Sequence, residues 1–552
     1  MKKEFAKIIS LLLAAALCVP FVACNVVGGA GDPDKDVDEV EKGDYSKYTK
    51  LVIDAGGQNA AYNTTSSLVY DKYTNPYPYN TLEQIVEEWN KAHAAEYGYY
   101  FAVASSSINN DRETMVPMLN NGTAPEIMYY LTTTVAEDQG KGWFYDLKEE
   151  MEQPNKYSKA GEDGSERWRD LYPDDLYRSF FSPDGQIFTV TLEQNPIGIL
   201  YNKTLFREAG ITEEPTTFKE FMEAQDKINA YAVSVGRADP SNDAVYICPF
   251  NSMYPWYDSY LETSLMGDII GDLDVIEKDG YVSAEEYVRG YMTKNGEENR
   301  LFSPDDDRMV ELYRLIKLTC KYYPTNYESY YCEQQFTIGN LAMLEVVGGD
   351  IRSLIDTVDG DFEVGVFAYP VLETQPADEE TNEYYTTYNV NDYYVQRGLS
   401  GYSTGWAITN SAMNRDKSNG NDKCVSACID MLMYLSCFEN NDKMVNDLGF
   451  AIPLSGNTEY EYFEPLAEVF REDRNNEKAL AWSAATAGNA MNKDYYDAVY
   501  LFRKTALVTD NSSIKTALSN TLVSSFASAA NRLYQQNGWD RATWPAYGET
   551  GD

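Results

Sequence analysis

One histidine and 87 acidic side chains limit what chemistry this 552-residue chain can carry out. His93 alone supports no His-dependent triad, and it lies near the end of an amphipathic segment where a structural histidine is expected. Neither a Gly-x-Ser-x-Gly elbow nor a phosphate-cradling glycine loop occurs. Carboxylate pairs suited to glycoside hydrolysis remain open, because so many acids always supply pairs. Zinc lacks a donor set, since there is no paired Cys-x2-Cys. Asp32, Asp34, Asp36 and Asp38 alternate as in a calcium loop, but Val37 stands where that loop needs glycine. Asp279, Gly280, Val282 and Glu286 repeat the register with Val275 at the first ligand position. No catalytic residue, metal or cofactor is therefore expected. What remains is binding chemistry. Asn251-Ser252-Met253-Tyr254-Pro255-Trp256-Tyr257 supplies rings for the flat C–H faces of sugars, whose hydroxyls then need amide, carboxylate or guanidinium partners. A buried loop plug would have the same sequence.

Those residues need elements to hold them, and the segment Asn195 to Phe221 organises the rest. Ile197 to Tyr201 reads as a buried strand, and Leu205 to Ala209 as a short helix closed by Gly210. Thr217 is the expected N-cap of the next helix, with Glu220 completing a capping box. Upstream, Leu51 to Gly57 is a first strand running into a small-residue turn. Thr81 opens a helix with Leu82, Ile85, Val86 and Trp89 on one face and Gln84 completing a capping box. Tyr99 to Ala104 is a second strand, and Asp111 to Asn121 a helix ended by Gly122, with Pro117 implying a kink or a later start. Asp184-Gly185-Gln186 turns into Ile187 to Thr191, and Phe362 to Tyr369 is a later strand.

Several blocks together resemble the family of extracellular solute-binding proteins that includes the maltose-binding proteins. They are Tyr201-Asn202-Lys203 with Ala209-Gly210 and Pro215-Thr216-Thr217; Gly122 to Tyr130, with Glu126 where Asp is usual; Phe336 to Met343; Gly401 to Ile408; and Asn446 to Pro453. The resemblance implies an α/β fold of two lobes, each a mixed sheet flanked by helices, with a hinge between them. It implies lobe 1 at 49–192 and 402–450, and lobe 2 at 196–400 and 452–552. Leu192 to Pro196 should cross between lobes. Glu193, Gln194 and Asn195 would there contact ligand or bond within the hinge. Gln58 beside the first turn, Tyr129, Tyr254, Trp256 and Trp406 complete the implied ligand set, with a core tryptophan as the alternative for Trp406. The family's Gly-x-Trp turn is replaced by Gly348-Gly349-Asp350, so Asp350 would pair with hydroxyls or a cationic solute, or cap a helix beginning at Ile351. A monomeric receptor delivering an oligosaccharide to ABC transporter permease subunits is implied. A glycan-docking protein or glycosidase, and a receptor for a peptide or cationic solute, are the alternatives.

Residues 1 to 23 have a basic start and an apolar run from Ile8 to Val22, which is an export signal. Phe21-Val22-Ala23-Cys24 resembles a bacterial lipobox, implying lipidation at Cys24 and attachment outside the cytoplasm to the cell membrane. Cleavage leaves roughly 529 residues, more than the roughly 250 to 300 of one core. It also removes three lysines and one glutamate, taking the formal charge from −42 to −44. Such a surface repels nucleic acid. Residues 24–48 read as a solvated tether. Residues 258 to 300 and 371 to 400 look inserted and would shape a long-oligosaccharide cleft. Of the six remaining cysteines, Cys320 and Cys332 would close a short loop, a pairing that sequence does not fix, while Cys424 and Cys428 are expected in a helix core.

Overall fold

The computed structural model describes residues 40–56, 80–104, 106, 111–131, 135–172, 177, 180–182, 184–192, 195–252, 260–261, 264–265, 276, 284–291, 307–325, 327, 330–390, 400–401, 404–448, 462, 464–468, 513–518, 520 and 524–544. Among them run the strands β1 (Thr49–Asp54), β2 (Tyr99–Ala104), β3 (Ile127–Leu131), β4 (Asn195–Asn202), β5 (Cys248–Asn251), β6 (Leu341–Val347), β7 (Val364–Phe367), β8 (Ser400–Gly401) and β9 (Thr404–Ile408). They form two sheets. The first has the order β2-β1-β3-β9, with β1 parallel to both β2 and β3 and β9 antiparallel to β3. The second has the order β5-β6-β4-β7, with β5 parallel to β6, β4 antiparallel to β6 and β7, and β8 paired to the start of β4.

In the first sheet, Leu51 and Ile53 are buried against the helix Thr81–Tyr97, which turns Leu82, Ile85, Val86 and Trp89 inward as their spacing dictates. Its expected capping box is absent. Asn80 is the N-cap, and its carboxamide oxygen is taken by the Gln84 side chain at 2.5 Å instead of a backbone N–H. The helix Arg112–Asn121 starts beside Asp111, which accepts from the Thr114 N–H at 3.2 Å and hydroxyl at 2.6 Å, and it runs through Pro117 to Gly122. Glu126 leads into β3. Its buried carboxylate accepts from the Val52 N–H of β1 at 2.8 Å and from Arg415 at 2.5 Å. Arg415 lies on the helix Asn410–Asn419, and Asp416 beside it accepts from the N–H groups of Cys424 and Val425, both at 2.8 Å. That carboxylate caps the helix Lys423–Ser436, which Asp422 does not.

The second sheet is centred on β4. The helix Lys203–Glu208 follows it, Gly210 adopts φ 73°, and the helix Phe218–Ser234 opens with the expected Thr217–Glu220 box. Gly198 within β4 leaves room for Leu466, whose Cδ2 would stand 2.6 Å from an added Cβ. Gly365 of β7 lies opposite Tyr201, whose ring covers it. Strand β7 is shorter than Phe362 to Tyr369, and the helix after β6, Gly348–Val358, begins three residues before the expected Ile351.

Two large apolar clusters fill the molecule. One joins the first-sheet core to one side of the second sheet, and the other fills that sheet's remaining side. The insertion at 371–390 is fastened to the helices: Asp226 accepts from Lys321 at 2.8 Å, Tyr322 at 2.6 Å and Tyr384 at 2.5 Å. Arg314 holds the carbonyls of Glu383 at 2.7 Å and Tyr385 at 3.1 Å. That stretch, as far as residue 390, braces the second lobe's helices. In the other insertion, Ala284–Tyr291 packs on the helix Ser524–Asn537, and Glu285 accepts from Trp544 at 2.5 Å. Cys248, Cys320, Cys332, Cys424, Cys428 and Cys437 are buried free thiols. Among the described residues no helix is long and apolar enough to cross a membrane.

Glu126→Asp, one methylene shorter, cannot reach both Val52 and Arg415. It is expected to cost about 1–2 kcal/mol, read as a lower urea midpoint with an unchanged slope; an unchanged midpoint would show that the longer arm contributes nothing.

Candidate functional site

The two sheets are joined by strands that cross side by side. Val190 pairs antiparallel with Trp406 in the first lobe, and Asn195 pairs antiparallel with Gly401 in the second. Five positions separate Val190 from Asn195 and five separate Gly401 from Trp406, so the two pairings share one register. In the first sheet, β9 begins opposite the carboxyl end of β3, with Thr404 facing Leu131. In the second, β4 begins beside the carboxyl ends of β5 and β6, with Ile197 facing Val347. Both crossings thus leave from the carboxyl ends of the parallel strands, and those ends face each other across the interlobe space. Open α/β sheets bind ligands at this edge.

On the first lobe, Asp54 ends β1 and is 4% exposed. Its carboxylate accepts from Gly56 N–H at 2.9 Å, Ser106 N–H at 3.0 Å and the Ser106 hydroxyl at 2.5 Å. This ties the turn after β1, at Gly56 with φ 69°, to the chain leaving β2. Next to the end of β3, Asp138 is buried and receives Arg112 through two bonds of 2.9 and 2.8 Å, Lys141 at 2.8 Å, and the Tyr130 hydroxyl. Burial alone would raise its carboxyl, but the bonds from Arg112, Lys141 and Tyr130 outweigh burial and hold it below its ordinary value. The arrangement keeps two partly exposed cations, Arg112 and Lys141, near the edge of a strongly acidic protein.

On the second lobe, β5 ends at buried Asn251 and Ser252, immediately before the Met253 to Tyr257 run. Strand β6 carries Glu345, which accepts from Ser252 and Tyr369, and runs into the helix bearing Asp350 in its first turn. Asp350 has an exposed side chain, yet surrounding protein pushes its carboxyl up to about 6, with the Glu333 charge adding. Its place within the first turn corrects the reading of Asp350 as a cap.

Of the residues expected to meet ligand, Asn195 is placed by its pairing to Gly401 and Asp350 lies at the second-lobe edge. Tyr129 and Trp406 do not line open surface. They are 2% and 0% exposed and pack edge to face with centroids 5.4 Å apart. Both face into the core beneath the crossing, which corrects the cleft-lining expectation and matches the core alternative for Trp406. Gln58, Glu193, Tyr254 and Trp256, and Cys24 with the export signal, lie outside the described residues. His93 is half-buried and bonds the Tyr157 hydroxyl at 3.0 Å, a structural role. Sequence reasoning missed Asp54, Asp138 and Glu345. Glu345 alone carried a signal, as the lone charge in the apolar run Leu341 to Val347.

Two α/β lobes joined by paired crossings, with strand carboxyl ends facing each other, define a two-lobed solute-binding protein. Residues 73–417 match the family model described as bacterial extracellular solute-binding protein. The chain belongs to that family, whose members are binding proteins. In structure it is similar to the SBP RafE in complex with raffinose, with TM-score 0.50 and 17% identity over 86% of this chain and 99% of that one. It is likewise similar to apo RafE from Streptococcus pneumoniae, with TM-score 0.50 and 16% identity over 86% of this chain and 98% of that one. No curated protein matches it in sequence.

Because the Asp350 carboxyl is raised to about 6, the folded chain holds a proton between pH about 4 and 6 that the unfolded chain has lost. Stability contributed at this position therefore falls as pH rises through that window. Asp350→Asn is expected to flatten that part of the profile and to be the more stable form at pH 7, checked by urea midpoints from pH 4 to 7. Parallel profiles for the two proteins would show that Asp350 titrates normally.

Proposed function

We propose that this chain is the extracytoplasmic, membrane-anchored receptor of an ABC importer, and that it closes its two lobes around a carbohydrate, an oligosaccharide in size. The observation that carries the reading is the opposition of the two strand-end edges across a paired hinge. Lobe 1 comprises 49–192 with 402–450, and lobe 2 comprises 196–400 with 452–552. A ligand touching both edges favours the closed state by its extra affinity for it, so no catalysis is needed. The carbohydrate class is supported by the Tyr254-Pro255-Trp256-Tyr257 run, which begins two residues beyond Ser252 at the end of β5. Gln58, Glu193, Asn195, Tyr254, Trp256 and Asp350 are assigned to ligand contact, while Tyr129 and Trp406 back the wall from the core. That RafE has been seen with raffinose fits the class. Cys24 carries lipid, the receptor is a monomer, and its partners are the permease subunits.

A second reading has its own observation. Asp350, in the first turn of the helix after β6 and raised by the protein around it and by the Glu333 charge, would favour a cationic solute that restores its charge.

Thermal unfolding of the soluble form starting at residue 25, across mono- and oligosaccharides with peptides and polyamines as controls, separates these readings. A ligand at a hundredfold excess over Kd stabilises by about 2.7 kcal/mol. A rise with sugars and no loss of sugar supports the first reading. A rise with polyamines alone moves the assignment to the cation, and consumption of the sugar reinstates the glycosidase alternative. For the anchor, Cys24→Ser is expected to release the protein from the membrane fraction of producing cells; retention there would exclude lipidation at this cysteine.

A further inference from the structure

Strand β6 is apolar except at one position. Leu341, Ala342, Met343, Leu344 and Val346 are buried, and Glu345 among them is 4% exposed. A carboxylate there is strongly disfavoured unless donors surround it, and an apolar side chain of similar volume would serve stability as well or better. Two of its donors come from other strand ends. The Ser252 hydroxyl, one residue beyond β5, and the Tyr369 hydroxyl, two residues beyond β7, both donate to it. The Ser252 N–H in turn donates to the Tyr323 hydroxyl at 3.1 Å. The Tyr260 ring packs on Tyr369 at 5.3 Å, and its hydroxyl accepts from Leu372 N–H at 3.2 Å. One carboxylate thus gathers the carboxyl ends of β5, β6 and β7 on the edge that faces the first lobe.

We propose that Glu345 is a positioning residue for solute binding: it fixes where Ser252 and Tyr369 stand at the ends of β5 and β7, on the second-lobe edge that faces the first lobe. The Ser252 and Tyr369 hydroxyls take different oxygens of the carboxylate, so neither donor competes with the other. Its cost is balanced by geometry and not by stability. The proposal rests on the cleft reading above for its effect on affinity, but its structural half does not.

The test uses the soluble chain from residue 25, with Glu345→Leu and, as a variant that removes only one hydroxyl, Ser252→Ala. Hydrogen exchange without ligand is expected to quicken about tenfold in peptides containing Ser252 and Tyr369 and to stay unchanged in the helix Phe218–Ser234. At a temperature well below both midpoints, the Kd for an oligosaccharide that shifts the wild-type midpoint is expected to weaken about tenfold. Unchanged exchange in both variants overturns the proposal. Weakened binding with unchanged exchange overturns it in favour of direct contact between Glu345 and solute. Faster exchange with unchanged Kd overturns it as well, leaving Glu345 a brace of the fold alone. If no panel solute binds the wild type, the cleft reading fails by its own experiment, and the exchange comparison still decides whether Glu345 sets these strand ends.

Discussion

Two strands crossing in one antiparallel register set the geometry on which the rest depends. Because Val190 lies opposite Trp406 and Asn195 opposite Gly401, neither crossing can slide without breaking the pairing in both lobes. That shared register fixes which edges of the two sheets the crossings join.

Buried charge then secures each edge. Asp54 ties the turn after β1 to Ser106, Asp138 gathers Arg112, Lys141 and Tyr130, and Glu345 gathers Ser252 and Tyr369. In every case a carboxylate near a strand end organises groups from other strands or loops. An apolar core holds strands together but does not prescribe how chains leave them; hydrogen bonds, being directional, do.

Local features were legible in the sequence. The Thr217–Glu220 box, Gly210 and Gly122 as helix closures, and β2 at Tyr99–Ala104 follow from neighbours a few residues apart, and they appear as read. Reading weakened where partners are remote. The Gln84 box failed because Asn80 competed for the same side chain, and Trp406 could be surface or core until Tyr129 and Val190 fixed its surroundings. Glu126 looked like a mild departure from an aspartate; its reach to Arg415, 289 residues away, gives the longer side chain a reason. Block order revealed the family, whereas the polar ties that shape each edge depend on contacts no spacing encodes.

The order of strands along the chain has a consequence for biosynthesis. Strands β4, β5, β6 and β7 all lie between residues 195 and 367, and only the two-residue β8 joins the second sheet later. In the first sheet, β3 must wait for β9 at Thr404–Ile408, and Glu126 waits for Arg415. A chain emerging from its N-terminus therefore carries β1, β2 and β3 with an open edge until β9 has been made. Joining of β3 to β9 closes that edge.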